Sequence, residues 1–405
     1  MDWVRTGSKV LAVAACVAAV AGCAGLKSTP AGTEGGAPPA SPSAPAVAVR
    51  SASATPPPAT PGTGRLPAPW PEHDVLREGL SFAGGTQVYD PATGTLYGLA
   101  PEKPDAANSS RVLTAINVRT GAARRGGTYQ TSELTLADGY LWIADNAGER
   151  PHVDEVAAGT LATVRAIPLP SGLGPFGTEP AAAAAPDGSV WVGTRHTLLR
   201  VSARTGAVRA RVTLPAGLAV STMAADPDGG YFYVAAAHEV GGGAVEGAVI
   251  LEYGETTGTL LATADGTPIS YSIAGAVLTA VPGGVWASFR TGMLGISVLL
   301  SGHGLAVIAA PDLSAAKLGA YHWAMSSRSA YGGGTLWVTA SDGSLLACLD
   351  PATGKVIAQE TIGSSMAQLN DLLTADPATR ELYGTVIAGT FGAVVAVTPP
   401  TACWE

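Results

Sequence analysis

"GTLWVTASDGSLLACLDPATGKVIAQETI", residues 334–362, holds three apolar runs divided by two turns. "LWVTA" and "KVIAQETI" are rich in β-branched and aromatic residues, and "LLACLD" is a short apolar run bounded by turns, which is strand composition. "DPATG" between the last two is turn chemistry: Pro presets φ at the first corner and Gly permits the positive φ of the last. Three short antiparallel strands cannot shield both of their faces from water. The stretch therefore needs neighbours of its own kind.

The chain supplies them. A Gly or Asp turn followed by an apolar residue and a Trp or Tyr occurs seven times: "GTLYG" 94–98, "GYLWI" 139–143, "GSVWV" 188–192, "GYFYV" 230–234, "GGVWA" 283–287, "GTLWV" 334–338 and "RELYG" 380–384. The anchors Tyr97, Trp142, Trp191, Tyr233, Trp286, Trp337 and Tyr383 are 42 to 53 residues apart. That is the period of a four-stranded propeller blade, not of a helical repeat. Around each anchor the order is strand, tight turn, anchor strand, third strand, "PATG"-type turn, fourth strand. The expected fold is all-β: a seven-bladed β-propeller of four-stranded antiparallel blades over residues 70–405. The seventh copy runs into residue 405 before a fourth strand, so "LREGLSFAGGTQV", residues 76–88, is expected to close the ring from the N-terminal side. Eight blades would require one with no aromatic anchor.

"LLACLDPATGKVIAQ", "LLRVSARTGAVRARV" and "INVRTGAARRG" resemble the strand-turn-strand piece of PQQ-type and YVTN-type β-propeller repeat proteins. "PDGSVWVG", residues 186–193, is similar to streptogramin lyase propellers. The resemblance spans about residues 82–398 and implies the fold. For activity it implies two enzyme classes, and this chain departs from both. Quinoprotein dehydrogenases carry a Trp shortly after the T-G-K turn, where this chain has Ala358 or Gln359, and no cofactor-binding residue transfers position by position. Streptogramin lyases need a His and Glu cluster near the axis with a metal, and only one segment is shared. No cofactor is predicted; PQQ or a divalent cation would accompany the enzyme alternative.

Arg5 and Lys9 precede an apolar run of thirteen residues, Val10 to Gly22. It is too short to span a bilayer, which takes roughly 20, and reads as a signal h-region. It ends in "VAGC", residues 20–23, which resembles the lipobox of bacterial lipoproteins. The resemblance implies a signal peptide over 1–22, lipidation (palmitate included) of Cys23, and a protein held by lipid on the outer face of the cytoplasmic membrane, extracellular or periplasmic. An ordinary secretory signal ending in Cys is the alternative. Residues 23–69 are Ala, Pro, Ser, Thr and Gly with few charges and no aromatic residue, a composition that cannot bury enough surface to order itself. It reads as a tether able to reach roughly 100 Å in polyproline geometry. The net charge is −8. A mildly acidic chain argues against nucleic acid and against electrostatic docking on anionic lipid. Of the cysteines at 16, 23, 348 and 403, Cys348 and Cys403 remain as a candidate disulfide in an oxidising compartment.

The turns between first and second strands, and between third and fourth, are short. The longer stretches, among them 99–111, 144–156, 170–180, 235–249 and 310–327, fall between second and third strands or between blades. In a propeller both classes open on one end of the ring, the usual mark of a binding face. Its candidate residues are Asp145, Asn146, Glu149, Arg150, His152, Asp154 and Glu155 in the second stretch, His238 and Glu239 in the fourth, and His322 and Trp323 in the last. Oxygen-rich loops with a histidine suit a divalent cation, a sugar or a peptide, or simply solvent. Arg195 with His196, and His303, read as turn residues. "SAAK", 314–317, lacks the companion motifs that would give S-x-x-K catalytic meaning. No G-x-S-x-G, H-E-x-x-H or phosphate loop occurs. The expectation is a non-catalytic binding or scaffold module for a protein or glycan. A quinoprotein-like or lyase-like propeller enzyme is the alternative, and an outer-membrane assembly scaffold a third reading.

Overall fold

The computed structural model describes residues 73–78, 80, 82, 87–102, 110–131, 133–145, 152–169, 181–185, 187–241, 244–265, 276–291, 294–309, 329–339, 345–361, 368–388 and 391–404. The signal and tether expected over 1–69, with Cys23, lie outside them. The described residues form seven antiparallel sheets of four strands. In blades 1 to 6 (residues 87–129, 134–168, 181–213, 218–265, 276–309 and 329–361) the strands lie side by side in chain order. Blade 7 has three strands from residues 368–397 and takes its fourth from the other end of the chain, His73–Glu78.

The aromatic anchors occupy one register in every blade. Each is on the second strand, flanked by one partner on the first strand and one on the third. Those third-strand partners are Ala115, Glu155, Arg200, Glu252, Leu299, Cys348 and Ala396 for Tyr97, Trp142, Trp191, Tyr233, Trp286, Trp337 and Tyr383. All seven anchor rings are almost completely buried.

Side chains alternate across a strand, and here the alternation assigns each residue to a neighbour. Trp142 and Ala144 pack with Val190 and Val192 of blade 3, while Leu141 and Ile143 pack with Tyr97 and Leu99 of blade 1. The pattern continues: Trp191 against Phe232 and Val234, Tyr233 against Val285 and Ala287, Trp286 against Leu336 and Val338, Trp337 against Leu382. Tyr383 meets Leu96 and Ile116 of blade 1. The seven hydrophobic clusters are thus seven blade interfaces, with the last joined to the first. Burial on both faces is why "LWVTA" and its relatives read as continuous apolar runs.

Closure starts earlier than the sequence suggested. His73 lies opposite Val397 and Glu78 opposite Ala393, so the closing strand is 73–78, not 76–88. "HDVLRE" is polar enough for an outermost strand. The apolar "LSF" that follows is consumed elsewhere: Leu80 and Phe82 are buried between blades 7 and 1. A Cβ on Gly98 would overlap the Phe82 ring, so the bare backbone there makes room for it.

At the other terminus the chain turns back over blade 6. Residues Thr401–Trp404 form a 3₁₀ turn. Cys403 is joined to Cys348, with Cα atoms 5.7 Å apart. Thr335 Oγ1 donates to the Cys403 carbonyl at 2.5 Å, and Trp404 packs on the Trp337 anchor with ring centroids 4.7 Å apart.

Trp286→Ala is expected to cost about 3–5 kcal/mol, the range for emptying a buried aromatic site, and Trp286→Phe less; denaturant unfolding followed by Trp fluorescence measures both. The disulfide spans 55 residues. Cys348→Ala/Cys403→Ala should therefore lose up to about 4 kcal/mol of stability by the chain-entropy account, with an unchanged β-sheet circular dichroism spectrum.

Candidate functional site: the long-loop face

Because successive strands in a blade run up and down, first-to-second and third-to-fourth turns emerge on one face of the ring. Second-to-third connections and the passages between blades emerge on the other. The first face carries only connections of 2 to 6 residues. Every longer connection opens on the second: 9 residues after Pro101, 12 after Pro168, 10 after Asp265, 19 after Ala309 and 8 after Glu78.

Two polar groups stand on that face. One lies where blade 1 hands over to blade 2. Asp145 ends the second strand of blade 2 and pairs in register with His152, which begins the third. The Asp145 carboxylate is buried and accepts the Gln130 amide at 2.8 Å. His152 Nε2 is 3.6 Å from Asp154 Oδ1. Burial pushes the Asp154 carboxyl above the ordinary carboxylate range and nearby Asp145 adds to this, while His152 opposes it. Burial likewise raises Tyr129, with both aspartates contributing.

The other group joins blades 3 and 4. Residues 235–249 form no loop. The second and third strands of blade 4, Tyr231–Gly241 and Ala244–Gly254, leave only residues 242–243 between them. Pairing continues to Gly241 opposite Ala244: the first and fourth strands extend the ladder from either side, and a Gly-Gly pair suits a tight reversal. This hairpin carries Glu239 to blade 3. There Arg195 Nε donates to Glu239 Oε1 at 2.5 Å, and His196 Nε2 lies 3.6 Å from the same oxygen. His196 Nδ1 is also 3.0 Å from the Leu218 carbonyl. The Arg195 and Val220 backbones bond at 2.9 Å. His238, half-buried, is on the same hairpin strand, opposite Glu246.

The candidates therefore separate. Asp145, His152 and Asp154 come together, and Glu239 joins Arg195 and His196. Glu155 is elsewhere: it belongs to a strand, not a loop, and lies beside the Trp142 anchor with Arg165 3.4 Å away. Burial raises its carboxyl and Arg165 counters this. Asn146, Glu149, Arg150, His322 and Trp323 lie outside the described residues. Arg195 and His196 were legible only as turn residues. A two-residue reversal made of Arg-His, without Gly, Asn or Asp, departs from ordinary hairpin chemistry, and that departure was the available signal. Among the described residues, no three His, Cys, Asp or Glu side chains are placed to hold a metal ion. Oxygen and nitrogen donors of the described residues approach one another on this face in two places, at Asp145, His152 and Asp154 and at His196 and Glu239.

The short-turn face has polar contacts of its own, which tie blade to blade. The buried Glu252 carboxylate accepts the His303 and Gly304 amides at 2.7 and 2.9 Å. Tyr231 OH is 2.7 Å from His303 Nε2. Arg200 bridges Asp187, Ser189 and the Thr256 carbonyl.

No protein-family model matches the chain, and neither does any curated protein. Solved structures do. A chain of the mitotic checkpoint complex aligns with a TM-score of 0.56 at 10% identity, covering 83% of this chain and 98% of that one. Hydrazine synthase from Kuenenia stuttgartiensis aligns at 0.53 and 12%, over 76% and 96%. The Neurospora crassa Pan2 WD40 domain aligns at 0.50 and 10%, over 78% and 89%. The chain is a β-propeller. At these identities the likeness is one of fold, and a fold shared among 1116 matching chains selects no single activity.

A raised carboxyl pKa means that the folded state binds the proton more readily than the unfolded one, so the ionised group costs stability at neutral pH. Asp154→Asn is therefore expected to raise the thermal midpoint at pH 7. The gain should shrink as pH falls towards the raised pKa, where the wild-type carboxyl is already protonated; a melting series against pH checks both.

Proposed function

We propose that this chain is an exported, lipid-anchored propeller acting as a non-catalytic binding or scaffold module through its long-loop face. One observation carries the reading: every connection longer than six residues opens on the face that also holds Arg195, His196, Glu239, Asp145 and His152. Long loops held by rigid strands are a recurrent arrangement for recognition. The other face has only tight turns.

The course of the closing strand keeps the tether off that face. His73 pairs with Val397 at the short-turn end, and Glu78 lies towards the long-loop end. A tether leading to a lipidated Cys23 would then join the domain on its short-turn side and leave the long-loop face unobstructed. Charged and hydrogen-bonding groups at that face suit a protein or glycan, with Asn146, Glu149, Arg150, His322 and Trp323 contributing from the adjoining segments.

The test uses the soluble domain from residue 66 to capture partners from an envelope extract. Shortening 146–151 and 310–327 should abolish specific capture. Arg195→Ala and Glu239→Ala should each weaken the captured complex about tenfold, as for a charge-paired contact of roughly 1.4 kcal/mol. Lys355→Gln, on the opposite face, should leave it unchanged. Full capture by the loop-shortened domain would sink the reading.

A further inference from the structure

The outermost strands carry a charge pattern that the net value of −8 conceals. In blades 1 to 3 the third-to-fourth turns and fourth strands, residues 117–129, 157–168 and 202–213, contain seven arginines and no acidic residue: Arg119, Arg124, Arg125, Arg165, Arg204, Arg209 and Arg211. The corresponding segments of blades 4 to 6, residues 254–265, 301–309 and 350–361, contain four acidic residues and one lysine. Six of the seven arginines are exposed, and Arg165 is half-buried. Only Arg165 has a carboxylate partner among the described residues, Glu155 at 3.4 Å.

The arrangement is continuous. The fourth strand is the last in each sheet and hence on the rim. Hydrophobic interfaces join blade 1 to blade 2 and blade 2 to blade 3, so the three rims are neighbours. Arg124 and Arg165 hold the same register, opposite the third-strand partners of the anchors. Arg124 Nη1 reaches across to the Gly159 carbonyl of blade 2 at 2.5 Å, carrying positive charge over the gap. Arg209 and Arg211, two apart on the outermost strand of blade 3, are both exposed.

We propose that the rim of blades 1 to 3 is a docking surface for a flexible, linear, base-free phosphate polymer. Unpaired guanidinium groups match phosphate oxygens in charge and in fork geometry. The rim curves outward through three of the seven blades, so a flat bilayer can lie against one blade at a time, whereas a flexible chain can follow all three. These strands expose no aromatic side chain on which bases would stack; Tyr129, their one aromatic, is buried. That disfavours single-stranded nucleic acid, which uses such platforms.

The experiment titrates labelled inorganic polyphosphate with the domain from residue 66 and follows anisotropy between about 50 and 200 mM salt. Binding should weaken with salt with a log–log slope between about −4 and −5, near −0.7 per phosphate contact over six or seven contacts. Arg125→Gln/Arg209→Gln/Arg211→Gln should flatten the slope by about 2 and weaken binding more than tenfold at the low-salt end, with an unchanged melting temperature. Arg125→Lys/Arg209→Lys/Arg211→Lys should retain most of the slope. The proposal fails if polyphosphate does not bind at low salt or if the glutamine variant binds as the parent does. It also fails if oligouridylate or anionic phosphatidylglycerol vesicles bind more tightly than polyphosphate.

Discussion

The structure depends on one contact made seven times: an aromatic ring on the second strand of a blade, pressed against the next blade in the ring. Three of the sockets use the same position of the neighbouring blade. Tyr97 OH donates to the Ala158 carbonyl at 3.2 Å, and Trp191 Nε1 to the Glu255 carbonyl at 3.1 Å. Ala158 and Glu255 are each three residues beyond the third-strand partner of the next anchor. Gly302 holds that same place beneath Tyr233, where a Cβ would come within 3.2 Å of the hydroxyl. The anchor thus fills apolar space and, in two blades, caps a turn carbonyl of its neighbour. Sheet pairing makes each blade; this contact makes the ring.

A molecule whose core is divided into seven interfaces has no blade that can stand alone, and a linear chain would leave its two ends exposed. Three devices remove them. The strand 73–78 completes blade 7, so the two ends of the propeller share one sheet and cannot separate without breaking a ladder of hydrogen bonds. Phe82 fills the interface between blades 7 and 1, where its amide also meets Thr385 Oγ1 at 3.3 Å. The Cys348–Cys403 bond and the Trp404–Trp337 contact then hold the tail to blade 6. The first two act across the seam; the third acts on the interface before it.

What could be seen in the chain beforehand follows from what repeats. The seven anchors, the turn grammar and the need for a strand from the N-terminal side are all written locally, as periods of two within a strand and of about 48 along the chain. Features joining distant positions were not written that way. Glu239 meets Arg195 across 44 residues, and neither tetrapeptide around them announces the other. The stretch 235–249 looked like an insertion because its alanines and glycines are weak strand signals, yet partners on both sides draw it into the ladder. Glu155 looked like a loop acid because its neighbours are polar; only the register places it beside Trp142.

The third-strand partner of the anchor shows how little the ring asks of the remaining positions. It is Ala, Glu, Arg, Glu, Leu, Cys or Ala in turn, so the wedge tolerates small, charged or cross-linked neighbours. Where that partner is charged it is answered locally, Glu155 by Arg165 and Arg200 by Asp187. Where it is Glu252, two backbone amides of the next blade receive it instead. A constraint confined to the anchor and its socket leaves the outer strands and the second-to-third connections free to vary independently. That freedom lets one side of the rim become purely cationic while the chain as a whole stays acidic, and lets a single hairpin lengthen to reach its neighbour without disturbing the ring.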